Sequence, residues 1–415
     1  MNSFITNEIH LLYPKYKTNK HDINKEIYRG ELYCNLLKDF TKSCIENLNE
    51  KVFSHKKPLN KTITNLLSSW FFTLYQYYDF KDDPFFPTNY NHTKTLFKTF
   101  EDYCSLDTID DHINKINIII SKLINNYNII LIKLNNYIDS SNPIDMYKKI
   151  IYQERNNETI AFYKFVISIK HISNNKLNNI INNIILPIKQ YDIMKQRYNG
   201  NIEDLDTIIW IILYRYQLLS SNNNQLAILQ NILDQMKNDF DLSYECFASG
   251  INGSLTNYSS IFYDVEKYFG SMGSYYNIVP IKGTFSFNPP YQYDIINNGI
   301  LQMIKHLDNT QEDLSFIITI PIWDLEGKKY MEDNMMKNNN NIINYEEFII
   351  MNIIKQSKYF KGLRMISKDN FTYFDHNFYL YKNKTIQNTY VIVMSNTNNE
   401  MISTINGYDF YTYKD

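Results

Sequence analysis

Apolar residues recur at three- and four-residue steps through most of the first 240 positions, most clearly between Asp111 and Ile138. Ile113, Ile116, Ile120, Leu123, Tyr127, Ile130, Leu134 and Tyr137 share one helical face there, with Asn and Lys between them. That is the pattern of a helix half sunk in a core. Ser140-Ser141-Asn142-Pro143 ends it with breaker chemistry. Further helices are predicted over Asn24–Leu48, Lys61–Tyr78, Ile144–Ser173 and Asn224–Met236. One more runs through Ile208, Trp210, Ile211 and Tyr214 to Leu219, with Asp204 or Asp206 as its cap. The connector Lys81–Pro87 is punctuated by prolines, and its Phe85 and Phe86 are expected to pin it to the helical core.

After residue 240 the pattern shortens to strands and loops, as in a nucleotide-binding α/β sheet. Strands are predicted at Tyr244–Ala248, Ser260–Tyr263, Lys282–Phe287, Leu314–Ile320 and Asn388–Ser395, with a helix at Ile295–Leu307. Gly327–Asn341, rich in Met and Asn, reads as a mobile insertion. The expectation is an α/β protein: an all-α domain over 1–240, then a domain over 241–415 with a mostly parallel sheet. Six of the eleven glycines (Gly250, Gly253, Gly270, Gly273, Gly283 and Gly299) crowd into this boundary region. Glycine supplies positive φ and lets a backbone approach a ligand closely.

Composition narrows the classes. A formal charge of −2 over 415 residues gives no chain-wide basic field for duplex nucleic acid. Lys56, Lys57 and Lys61 cluster, but a solvated loop explains them. Cys34, Cys44, Cys104 and Cys246 are scattered without metal-binding or disulfide-framework spacing, so no metal is expected. Met1–Phe4 has no signal-peptide character, and the longest apolar run, Ile208–Tyr214, is far short of a membrane span. A soluble protein in an intracellular, reducing compartment is expected.

The stretch Gly283–Tyr291 carries the chemistry. Pro289 and Pro290 fix φ and remove two donors, so the strand ends in a rigid turn bearing Asn288 and Tyr291. An amide oxygen and a proline carbonyl suit the two hydrogens of an exocyclic NH2, and an aromatic ring suits the face of the heterocycle that carries it. Asn288-Pro289-Pro290-Tyr291 resembles the catalytic motif of S-adenosylmethionine-dependent amino methyltransferases. In such an enzyme the cofactor takes a glycine-lined loop after the first strand and an acid after the second, for which Asp264 is the candidate. A helix-capping role for Asp264, and a plain turn for Gly270–Gly273, remain open on the residues alone.

The run Tyr244-Glu245-Cys246-Phe247-Ala248-Ser249-Gly250-Ile251-Asn252 resembles the signature of the phosphorylated CTD-interacting factor family, cap-specific adenosine N6-methyltransferases. The similarity continues through Asp264, Tyr268-Phe269-Gly270-Ser271, Gly273, Gly283-Thr284-Phe285, Asn288–Tyr291 and Ile320-Pro321-Ile322-Trp323. It covers roughly residues 190 to 396. The resemblance implies a Rossmann-like class I methyltransferase domain that takes S-adenosylmethionine and methylates N6 of the adenosine beside the cap at an mRNA 5′ end. The helical domain would then form a wall of the cap and RNA groove. On this basis Asn288 and the Pro289 carbonyl hold N6, Pro290 stiffens the turn, and Tyr291 stacks on the adenine. Phe247, Ala248, Ser249, Asp264, Gly270 and Ser271 surround the cofactor. Trp323 is a candidate to stack on a base or cap, with a core position equally open, and Arg215 is a phosphate candidate, with structural ion pairing as its alternative. Tyr291 stands where the family usually has Phe, Gly250 where it has Pro, and Ile322 replaces an acid before Trp323. No WW module is read ahead of the helical region, so recruitment to the phosphorylated polymerase tail is not implied. The motif alone also admits a DNA, internal-RNA or protein-glutamine methyltransferase, or a non-catalytic RNA-binding partner subunit.

Overall fold

The computed structural model describes residues 22–48, 52–53, 58–75, 83–87, 92–104, 106–138, 144, 146–155, 158–167, 174–219, 225–321, 350–376, 382–386, 388–397 and 400–411. The chain divides into two compact units, Pro14–Asn224 with Ile261–Gly270, and Gln225–Ser260 with Ser271–Asp415. The architecture is mixed α/β, with a helical N-terminal region and a sheet whose larger part is parallel.

In the first unit α1 (Ile23–Asn47) starts at Asp22, whose carboxylate accepts the Asn24 N–H at 2.8 Å and so satisfies one orphan donor of the first turn. It packs on α2 (Leu59–Leu74) and α4 (Leu106–Asn135), and α3 (His92–Tyr103) packs on those two. The centre is aromatic: Trp70, Phe71, Phe85, Phe86 and Tyr127 are fully buried and meet mostly edge to face. Tyr75 and Tyr127 donate to the carbonyls of Phe85 and Pro87, which fixes the connector against the core as expected. The α4 face is as read except at its start, where Ile113 is exposed and Ile119 joins the buried set.

Ile144–Ser173, expected to be helical, contains an antiparallel hairpin instead. β1 (Met146–Arg155) pairs with β2 (Glu158–Ile167) from Met146↔Ile167 to Arg155↔Glu158. Its β-branched and aromatic content (Ile150, Ile151, Tyr152, Thr159, Ile160, Phe162, Val166) suits a pleated surface, and buried Phe162 and Phe165 at a three-residue step imitate a helical face. β3 (Ile185–Pro187) extends that sheet; α5 (Asn175–Asn182) and α6 (Ile188–Arg197) flank it. In α7 (Leu205–Leu218) Asp204 holds the cap position without a side-chain bond, and Asp206 pairs with Lys148. Ile208–Tyr214 are at most 1% exposed, an all-round apolar helix buried on every side.

A ladder of alternating charges crosses this unit. Asp83 lies 2.8 Å from Arg29, Arg29 2.6 Å from Glu26, Glu26 2.5 Å from Arg215, and Arg215 2.8 Å from Asp264. All five side chains are at most 9% exposed. Burial pushes the Arg215 guanidinium down, but Asp264 and Glu26 overcome it and hold it well above its usual value. Burial likewise raises Asp83, and Arg29 more than reverses it.

The second unit is built on a six-stranded sheet. After β4 (Leu226–Ile228) and α8 (Gln230–Phe240) come β5 (Leu242–Glu245) and β6 (Asn257–Tyr258). The chain leaves for the four-residue helix α9 (Tyr263–Glu266) and returns through β7 (Gly283–Phe287), α10 (Tyr293–Asn309) and β8 (Leu314–Pro321). Then follow α11 (Ile350–Gln356), β9 (Phe360–Ile366), β10 (Tyr373–Asp375), β11 (Lys382–Lys384), β12 (Thr389–Ser395) and α12 (Met401–Asn406). The order is β6-β5-β7-β8-β12-β9; the first three pairings are parallel and the last two antiparallel. Phe316, Ile318 and Ile320 join α10 and α11 in one core, while Ile317, Val391 and Val393 join α8 and α12 in another. This period of two puts helices on both faces.

Two boundaries are corrected. The expected strand Ser260–Tyr263 is β6 at 257–258, because the backbone of Ser259 and Ser260 turns to bond Glu245, Ala248 and Gly273. The expected helix Asn224–Met236 is a strand and then α8, since Leu226–Ile228 pairs with β10. Gly327–Asn341, Lys56 and Lys57 lie outside the described residues.

A Cβ at Gly30 would sit 1.8 Å from the Tyr214 hydroxyl, where α1 meets α7. Gly30→Ala is therefore expected to destabilise by about 1–3 kcal/mol through overpacking, although an exposed helical Gly→Ala change normally stabilises. Arg215→Ala leaves two buried carboxylates facing an emptied site and is expected to cost about 3–5 kcal/mol. Urea unfolding of both variants measures the losses.

Candidate active site

The parallel strands place the site. From β5 the chain moves to β6 on one side, then crosses to β7 on the other, so the strand order reverses between β5 and β7. Ligands of open α/β sheets bind outside the carboxyl ends of strands at such a reversal. Glu245 is in register with Ser286, and the Cys246 N–H donates to the Ser286 carbonyl at 2.8 Å. Phe247-Ala248-Ser249 and Asn288-Pro289-Pro290-Tyr291 therefore emerge side by side.

The loop after β5 is wound by its own polar groups. Asn252 Oδ1 accepts the Ser249 N–H at 2.7 Å and the Ser249 hydroxyl at 2.9 Å, while Ser249 Oγ accepts the N–H groups of Ile251 and Asn252. Ser249 Oγ also lies 2.9 Å from Gln225 Oε1. A Cβ at Gly253 would stand 2.9 Å from the Ser249 carbonyl, so this close turn requires glycine. Glu245, which sequence reasoning left unused, accepts the N–H groups of Ser254 and Leu255 at 2.7 and 2.8 Å and closes the far end. Ser249 thus ties the loop together. Phe247 and Ala248 are half-buried, and the Phe247 ring packs against Tyr275 and Phe287.

The turn after β7 is stiff. Pro289 is buried, Asn288 and Tyr291 half-buried, and the Pro290 carbonyl accepts the Gln292 N–H at 2.7 Å. The Pro289 carbonyl has no hydrogen-bond partner among the described residues. The Tyr291 ring packs against the α8/α12 core and meets Tyr373 edge on, 6.2 Å between centroids. Its hydroxyl bonds that of Tyr373 and lies 3.5 Å from Asn288 Oδ1. Tyr373, buried on β10, reaches Thr389 Oγ1 at 3.2 Å. Burial raises the Tyr291 phenol well above its usual value and pushes Tyr373 up to about 12, so both stay protonated at neutral pH.

The remaining candidates have contacts of their own. Ser271 Oγ bonds Ser260 Oγ at 2.7 Å and accepts the Gly273 N–H at 3.1 Å. Gly270 and Gly273 have φ of 100° and 87°, the left-handed turns their sequence suggested. Gly270 and Asp264 belong to the helical unit. Asp264 does not end the second strand: it sits on α9, and both its oxygens accept from Arg215, at 2.8 and 2.9 Å. Arg215 is 1% exposed and divides its guanidinium between Asp264 and Glu26, so it is an ion-pair anchor and not an open phosphate contact. Trp323 lies outside the described residues. Gln225 and Tyr373, the side chains that brace the two loops, carried no sequence signal, because each acts through contacts far along the chain.

Among the described residues there is no cluster of three metal-ligating side chains, and no helix is long and apolar enough to cross a membrane. A family model described as Phosphorylated CTD interacting factor 1 WW domain matches residues 188–375. A Mus musculus protein named mRNA (2'-O-methyladenosine-N(6)-)-methyltransferase is 32% identical over 121 residues, which cover 28% of this chain and 17% of the relative. The Homo sapiens protein of the same name is 31% identical over 121 residues, with the same coverage. The match thus spans under a fifth of the length of these curated relatives. The matched stretch contains both loops at the β5–β7 reversal, and through residues 188–375 the chain is similar to the phosphorylated CTD interacting factor family.

Proposed function

We propose that this chain is an S-adenosylmethionine-dependent methyltransferase acting on N6 of the adenosine next to the 7-methylguanosine cap of mRNA. The observation that carries the proposal is Asn288-Pro289-Pro290-Tyr291 leaving a strand paired in parallel with the one that opens the glycine loop. A parallel core, an antiparallel strand next to it and helices on both faces support a Rossmann-like methyltransferase sheet. The names of the relatives support adenosine in mRNA as the acceptor.

The residues present suit the donor. Gln225 is 8% exposed, and its Nε2 has no partner among the described residues, although its Oε1 lies 2.9 Å from the Ser249 hydroxyl oxygen of the loop. An unspent donor there fits a ligand rich in acceptors, such as one bearing a carboxylate, a ribose and a purine. Phe247, Ala248 and Gln225 would hold it. When bound, S-adenosylmethionine supplies an electrophilic methyl group on sulfur.

The chain's own task is to present the amine. Asn288 Oδ1 and the Pro289 carbonyl accept the two N6 hydrogens, which fixes the nitrogen and enriches its electron density. The Tyr291 ring lies against the purine face. Prolines do this well because the turn has no freedom to lose on binding. A cap-adjacent nucleotide is unpaired, so no base need be extruded from a duplex. The helical region is proposed to take the RNA. A reducing compartment is part of the same proposal.

Purified protein with labelled S-adenosylmethionine is expected to label capped RNA beginning with adenosine, and neither uncapped RNA nor DNA. Equal labelling of uncapped RNA removes the cap from the proposal. Asn288→Ala is expected to lower kcat by at least about a hundredfold while the unfolding curve stays within experimental error, since the side chain lies on a turn and outside both cores. Unchanged turnover would refute its role.

A further inference from the structure

The Tyr291 hydroxyl creates a problem that a phenylalanine at that position would not. Tyr291 lies three residues beyond Asn288 in the same turn, and its Oη is 3.5 Å from Asn288 Oδ1. That oxygen is the acceptor that the proposed function assigns to the substrate amine. A hydroxyl donated onto it takes one of two acceptor positions and withdraws density from the other. A separation of 3.5 Å is at the outer limit for a hydrogen bond, so a small motion decides whether the bond exists.

The same hydroxyl has a second partner. Tyr373, 1% exposed on β10, bonds the Tyr291 hydroxyl more closely than Asn288 does. Thr389 Oγ1, fully buried at the start of β12, lies 3.2 Å from the Tyr373 hydroxyl, within reach of its proton. A Tyr373 whose proton points to Thr389 has a lone pair to offer Tyr291. A phenol has one proton, and a Tyr291 proton sent to Tyr373 is not available to Asn288.

We propose that Tyr373 is a positioning residue that draws the Tyr291 hydroxyl proton away from Asn288 Oδ1, keeping that oxygen open for the substrate amine. The inference rests on the amine-holding role of Asn288 proposed above. Direction within the chain of hydroxyls is Tyr291 to Tyr373 to Thr389. Because burial keeps both phenols protonated at neutral pH, the chain carries the same protons throughout the working range.

The test is a coupled pair of substitutions. Tyr373→Phe removes the acceptor and leaves the Tyr291 hydroxyl with Asn288 as its nearest partner. Its kcat on capped adenosine RNA is expected to fall about tenfold with KM little changed, a transition-state loss. In a Tyr291→Phe background the same Tyr373→Phe change is expected to have less than a twofold effect, because no hydroxyl is left to divert. Thr389→Val should behave like a milder Tyr373→Phe and be silenced by the same background. A role in packing alone predicts that Tyr373→Phe costs the same with or without the Tyr291 hydroxyl, and that result overturns the inference.

A second readout does not depend on turnover. In a crystal structure of Tyr373→Phe the Tyr291 Oη to Asn288 Oδ1 distance is expected to shorten to about 2.8 Å, a true hydrogen bond. A distance unchanged from the parent protein overturns the inference. A parent protein that methylates no adenosine acceptor overturns the proposed function instead, while the distance still reports on the hydroxyl chain.

Discussion

The pairing of β5 with β7 is the constraint on which the candidate site depends. Two strands that are distant in sequence run in parallel, in register at Glu245 and Ser286, and the Cys246 N–H to Ser286 carbonyl bond carries the pairing one residue beyond the ladder. A side-chain alternation of two means that a slip of one residue would turn Phe285 and Phe287 out of their core. Register is therefore held by apolar burial, and the two loops inherit their neighbourhood from it. Prolines then stiffen one loop, while Ser249, Asn252 and Glu245 stiffen the other. Each loop is shaped by its own residues.

The helical unit shows a different way of spending charge. Five ionised side chains alternate from Asp83 to Asp264 in surroundings that exclude water. Desolvating them is expensive, and the attraction between neighbours returns that cost only because every guanidinium is shared by two carboxylates. Such a ladder adds little net stability over an apolar core but strongly disfavours arrangements that leave one charge alone. It fixes how α1, α7, α9 and the Asp83 loop meet.

What could be read from the sequence follows the range of the forces involved. Leu314–Ile320 and Lys282–Phe287 were legible as strands because a run of β-branched and aromatic residues bounded by Gly or Pro leaves few alternatives. The turn at Asn288 was legible because prolines dictate backbone locally. Residues 144–173 were misread because Phe162 and Phe165 copy a helical step, and strand pairing with Leu186 and Pro187 decided the matter. Asp264 was placed at a strand end because the end of that strand was read five residues too late. Its partner Arg215 is 49 positions away, beyond the reach of any local pattern. Tyr373 is farther still from Tyr291.

One detail of connectivity has a consequence for biosynthesis. Ser260 and Ser271, joined hydroxyl to hydroxyl, stand at the two ends of a ten-residue excursion whose members belong to the helical unit. Asp264 travels in that excursion. As the chain leaves the ribosome, Glu26, Arg29, Asp83 and Arg215 are all synthesised before the carboxylate that completes their ladder. Residues up to 224 cannot complete the ladder by themselves; it waits until the first two parallel strands of the other unit have been made. Maturation of the two units is thus interleaved, and a nascent chain stalled at residue 224 would hold a buried cation with only one of its two counter-ions.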